Sequence, residues 1–75
     1  MNVHVMSIIE GAERDIVFPI DPHQSLGYFK RAYCAFAGLN EGVVRFVFDG
    51  NEIANNQFAN NIELEEGFQI DCLLK

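Results

Sequence analysis

Val44-Arg45-Phe46-Val47-Phe48-Asp49-Gly50-Asn51-Glu52-Ile53-Ala54 reads as a strand, a tight turn and a short returning strand. Val44 to Phe48 is a run of β-branched and aromatic residues, which suits a pleated, half-buried surface. Asp49-Gly50 is a pair that tolerates positive φ at both positions, the requirement of a two-residue hairpin turn. Glu52-Ile53 supplies the short partner. Upstream, Leu26, Phe29, Tyr33 and either Phe36 or Ala37 follow helical spacing, so a helix precedes this hairpin. Ser25 is suited to cap its N-terminus, and Gly38 to supply the left-handed residue that stops it.

Working outward from that core, Val3, Val5 and Ser7 alternate with His4, Met6 and Ile8, which predicts a first strand. Glu10-Gly11-Ala12-Glu13-Arg14 is the expected turn. Ile16, Phe18 and Ile20 then alternate with Val17, Pro19 and Asp21 in a second strand. Pro19 has no amide donor, so this strand is expected at a sheet edge with that position facing outward. Downstream, Ala54 to Glu66 has little periodicity and is expected as a surface connection with at most one short helical turn. Gln69 to Leu74 is the last strand, with Ile70 and Cys72 on one face. The order strand, strand, helix, strand, short strand, strand predicts an α+β domain over residues 1–75. One helix packs across a mixed sheet, the β-grasp arrangement.

Composition narrows the function. A chain of 75 residues buries only about 60–65% of the surface it exposes when unfolded. That leaves one small core and no deep enclosed active site. Eleven acidic residues against five basic give a net charge of −6. The diffuse basic footprint of a nucleic-acid binder is therefore missing, and no nucleic-acid partner is expected. No apolar run approaches the ~20 residues of a membrane span, and Asn2, His4 and Ser7 break up any leader-like run at the start. An intracellular protein, nuclear or cytoplasmic, is the expectation. Cys34 and Cys72 both lie in apolar settings and are expected as buried reduced thiols.

No catalytic residue is expected. His4 and His23 belong to different elements and stand alone. A Cys34–His23 nucleophile pair is conceivable, but Cys34 sits within an apolar helical turn. The cysteines and histidines show none of the close spacings of a metal site, so neither metal nor cofactor is expected. Asp49-Gly50 is a turn rather than a phosphate loop.

The run Phe29-Lys30-Arg31-Ala32-Tyr33-Cys34 ends in a Tyr-Cys pair, and Gly38 follows. After it comes Arg45-Phe46, then Phe48-Asp49-Gly50 and Ile53-Ala54, continuing through Asn56, Ile62, Leu64, Glu65 and Glu66. In these residues the chain resembles SUMO proteins, a branch of the ubiquitin-like superfamily, over nearly its whole length. The resemblance implies a ubiquitin-like β-grasp fold and a protein-binding role. SUMO modifiers end in a Gly-Gly pair beyond the last strand, whose carboxylate forms the isopeptide bond. This sequence reads to Lys75 without one. The expectation is a non-conjugatable SUMO-like docking domain, part of a larger protein or complex. The alternative is a SUMO-type modifier whose Gly-Gly tail lies outside these residues.

Two surfaces follow from the resemblance. In SUMO, the groove between the second strand and the helix accepts a short apolar peptide as an added strand. By residue match, Ile16, Phe18 and Ile20 line its strand side here, and Phe29 and Tyr33 its helix side. The rim positions that are basic in SUMO hold Pro19, Asp21, Tyr28 and Phe36. Val17, Tyr28 and Phe36 either extend an exposed apolar patch for a protein partner or a second copy, or are scattered surface aromatics. The second surface is an acidic edge of Asp49, Glu63, Glu65 and Glu66. The resemblance implies noncovalent contact there with the basic helix of the SUMO conjugating enzyme. A merely solvated charged edge is the other reading, and Phe68 stands where the family carries an acidic residue.

Overall fold

A computed structural model describes all residues, 1–75. The elements are β1 (Asn2–Ile9), β2 (Ala12–Pro19), α1 (Leu26–Ala37), β3 (Val44–Phe48), β4 (Asn51–Glu52) and β5 (Gln69–Leu74), with single 3-10 turns at Glu41–Val43 and Ala59–Asn61. The five strands form one sheet in the order β2-β1-β5-β3-β4. β1 and β5 run parallel at its centre, and the remaining pairs are antiparallel. This is the mixed-sheet β-grasp that the order of sequence signals predicts.

Both hairpins close through two-residue turns with positive φ at each position. They are Glu10-Gly11 (53° and 79°) and Asp49-Gly50 (54° and 80°). That geometry matches the right-handed twist of the flanking strands. The first turn is tighter than the expected five-residue one, because Ile9 already pairs with Ala12 and Ser7 with Arg14. β4 covers Asn51–Glu52, and Ile53, expected within it, instead leaves the strand and enters the core.

Alternation decides what each strand buries. Val3, Val5, Ile70, Cys72, Val44 and Phe46 point to one face, and Leu26, Phe29, Tyr33 and Cys34 of α1 pack on them. The helix turns Ala37 inward against this cluster and leaves Phe36 65% exposed, so Ala37 is the residue that completes the apolar stripe. Rings tie three elements together. Phe18 lies 5.9 Å from Phe29 and 5.4 Å from Tyr33, and Phe46 lies 5.5 Å from Phe29 and 5.8 Å from Tyr33. Each buried ring stabilises the fold by about 1.5–3 kcal/mol.

Two expectations are corrected. Ser25 holds the N-cap position, but its side chain makes no capping bond. The Leu26 and Gly27 amides donate instead to the backbone carbonyls of Gln57 and Asn55, at 2.7 and 3.0 Å. The segment Ala54 to Glu66 is therefore more than a surface connection. It caps the helix, and it sends Ala59 and Leu64 into the core. At the other end Gly38 (φ 74°) stops the helix as expected.

Candidate functional site

β2 is an edge strand, and its open side defines the first surface. Met1 and Ile20 exchange both backbone bonds, at 2.6 and 2.7 Å. In an antiparallel ladder such pairs alternate with outward-facing ones. Phe18 and Ile16 therefore bond inward to Val3 and Val5, while Val17 and Pro19 direct their backbone outward. The missing amide of Pro19 falls on the open edge, as the sequence predicts. The Val17 and Pro19 carbonyls and the Val17 amide remain free for a partner.

A hollow of about 430 Å³ lies between this edge and α1. Its lining includes Phe18, Pro19, Ile20, Tyr28, Phe29 and Ala32. Tyr28, Ala32 and Phe36 are spaced by four residues, so they form one stripe along the helix beside β2. The small Ala32 between two large rings deepens the groove. Spacing from Tyr28 would have found Ala32 in the sequence. Tyr28 is 51% exposed. Phe36 leans on Phe18 at 5.7 Å yet keeps most of its surface in water. The structure thus brings Phe18, Pro19, Ile20, Tyr28 and Phe29 around one hollow, with Phe36 continuing it through Phe18. Val17 is not brought there. Strand alternation turns its side chain to the opposite face of the sheet, where it is 56% exposed across from His4. Asp21 also lines the hollow, and no Lys or Arg does.

The acidic edge is built around a second hollow, of about 450 Å³, lined by Phe48, Asp49, Ile62, Glu63, Phe68 and Gln69. Phe68 stacks on Phe48 with ring centroids 5.9 Å apart and planes 22° from parallel. Asp49 and Glu63 both adopt the left-handed conformation, at φ 54° and 57°, and both carboxylates are exposed. Glu65 and Glu66 lie in the turn before β5, where a Glu66 Oε1 accepts the Asn2 amide at 2.9 Å. The Phe48–Phe68 stack could not be read from spacing, because twenty residues separate the rings.

The cysteines offer no activated nucleophile. Both are free and buried. Burial raises the Cys34 thiol and pushes Cys72 up to about 11, which disfavours the reactive thiolate. His23 is exposed in the loop after β2, where its amide donates to Asp21. No three His, Cys, Asp or Glu side chains converge as a metal site would require. No helix is long and apolar enough to cross a membrane.

Comparison with known proteins fits this geometry. Residues 7–74 match the family model described as ubiquitin-2 like Rad60 SUMO-like. Small ubiquitin-related modifier 2 of Homo sapiens and of Bos taurus, and small ubiquitin-related modifier 2-B of Xenopus laevis, are each 32% identical to this chain over 71 residues. The match covers 93% of this chain and 75% of each relative. With a β-grasp sheet, one helix across it and a family match over nearly every residue, the chain belongs to the SUMO-like family of ubiquitin-like domains.

Proposed function

We propose that this SUMO-like domain works as a protein-docking module rather than as a detachable modifier. The observation that carries the reading is the apolar groove beside β2, where the exposed Tyr28 lines a hollow free of basic residues and the exposed Phe36 adjoins it through Phe18. Covering an exposed ring typically gains about 1.5–3 kcal/mol, so two such rings can anchor a partner. The occupant is an apolar element of another protein or of a second copy. The acidic edge is a separate docking surface for a basic partner, of the kind the family resemblance implies for the conjugating enzyme. The reading carries an intracellular setting, nuclear or cytoplasmic, in keeping with two free, buried thiols.

The test replaces Tyr28 and Phe36 together by arginine. The melting temperature should stay nearly unchanged while partner capture from cell extract, or self-association in sedimentation, disappears. A steep fall in melting with no partner lost would make these rings core and overturn the groove. A second arm incubates the full-length native chain with the SUMO activating enzyme and ATP. No thioester is expected, and a thioester would favour the modifier reading.

A further inference from the structure

We infer that the β2 edge takes an extended segment of a partner protein over Glu13–Val17. The segment carries an acidic side chain beside Arg14, on the face toward α1, and basic side chains beside Glu13 and Asp15 on the other face. The inference rests on the proposal that the β2 side of the domain docks a protein, and it adds where along the strand the segment sits and what it carries. Met1 and Ile20 exchange their backbone bonds, and such pairs alternate along the ladder. Glu13, Asp15 and Val17 therefore turn both amide and carbonyl outward, whereas Pro19 turns out a carbonyl alone. Three donors stand in a row along this half of the edge, and the row ends at Pro19. A strand added to an edge takes its affinity from such main-chain groups, so it gains most over Glu13–Val17.

The side chains set the pattern. Arg14, Ile16 and Phe18 share the face toward α1, since their cross-strand partners Ser7, Val5 and Val3 are buried beneath the helix. Arg14 lines a hollow of about 190 Å³ with Ala12, Tyr33, Ala37 and Leu39, and no carboxylate lines it. Arg14 is exposed and joins no ion pair, the one pair of the chain being His4 with Asp15. Residues directly opposite in a sheet share a face, where opposite charges favour pairing and like charges oppose it. The segment therefore sets an acid opposite Arg14, bases opposite Glu13 and Asp15, and apolar residues opposite Ile16 and Phe18, where Phe36 leans in. A second copy of β2 does not supply this pattern. Paired antiparallel about Asp15 it opposes two carboxylates, and about Arg14 two guanidiniums. Paired about Ile16 it sets Glu13 against Pro19, which has no amide.

The probe is the end-capped peptide Val-Thr-Val-Lys-Glu-Lys, which presents this pattern when it lies antiparallel to β2 from Phe18 to Glu13. Its control, Val-Thr-Val-Glu-Lys-Lys, has the same composition with the acid moved to the other face. Each is titrated into the domain and followed by amide chemical shifts. The probe should bind about fivefold more tightly than the control, with shifts centred on Glu13–Val17. The outward amides of Glu13, Asp15 and Val17 should exchange with solvent more slowly in the complex. Arg14→Glu should erase the preference, and Arg14→Lys should keep it. Equal binding of the two peptides, no binding of either, or shifts centred on Pro19 and Tyr28 would overturn the inference. The docking reading itself falls only if the Tyr28 and Phe36 double variant loses no partner, so the two failures are distinct.

Discussion

Gly27 sits in the first turn of α1, where the loop that caps the helix comes closest. A Cβ placed there would lie 2.9 Å from the Asn55 carbonyl oxygen and 3.2 Å from the Asn55 Cα. Both atoms belong to backbone that is already committed, because the Gly27 amide donates to that same carbonyl. Alanine favours helix over glycine by about 1 kcal/mol, so propensity alone would make Gly27→Ala stabilising. Contact with rigid backbone opposes this, and overpacking of this kind typically costs about 1–3 kcal/mol. We expect Gly27→Ala to lower the melting temperature, by about 4–8 °C for each net kcal/mol in a domain of this size. An unchanged or raised midpoint in a thermal melt would show that the capping loop yields freely. The sequence marks Gly27 only as a weak spot in a helix. Its reason is a contact with a residue 28 positions away, which no local pattern reveals.

At the level of the element, β2 is both an edge and half of a groove, and its residues divide by parity. Phe18 and Ile20 contribute side chains to the groove, while Val17 and Pro19 contribute backbone to the edge. A peptide added as a further strand needs donors and acceptors along that edge. Pro19 interrupts the row of donors, and Asp21 places a negative charge beside it. A standard SUMO-interacting peptide, apolar with acidic flanks, should therefore bind more weakly than low-micromolar in a calorimetric titration. Pro19→Ala restores the amide and should tighten binding roughly fivefold, the worth of one net hydrogen bond. Low-micromolar affinity for the unaltered domain would show that the missing donor and the acidic rim do not matter. The edge position and outward amide of Pro19 were legible in the sequence, because a proline is tolerated in few places in a sheet. The separation of Val17 from Tyr28 and Phe36 follows from strand alternation, but only once the helix is known to cover one face.

For the whole molecule, the two thiols and Tyr33 report on the core they share. Burial raises Cys72 from the ordinary 9.0 to about 11, and it raises Cys34 and Tyr33 in the same direction. The folded protein holds these protons more tightly than the unfolded chain. Their contribution to stability is therefore complete below the unfolded values and is lost as pH rises through the folded ones. Lys30 has the opposite sign, since burial lowers it and its penalty lifts with rising pH. Denaturant unfolding should show a net loss of stability from pH 9.0 to about 11. Cys72→Ala, less stable throughout because a packed side chain is truncated, should lose less over that window. Parallel pH profiles for the two proteins would contradict this account. The order of elements, the Asp49-Gly50 turn, the Gly38 stop and the alternating faces of β1 and β5 were determined by the sequence itself. Period, positive φ and the lack of a proline amide are local properties of the chain. Only the tertiary structure decided that the 54–66 segment caps the helix in place of Ser25, that Phe48 and Phe68 stack, and that Val17 faces away from the groove. Each of these depends on which distant residues the closed sheet brings together, and local sequence does not encode that proximity.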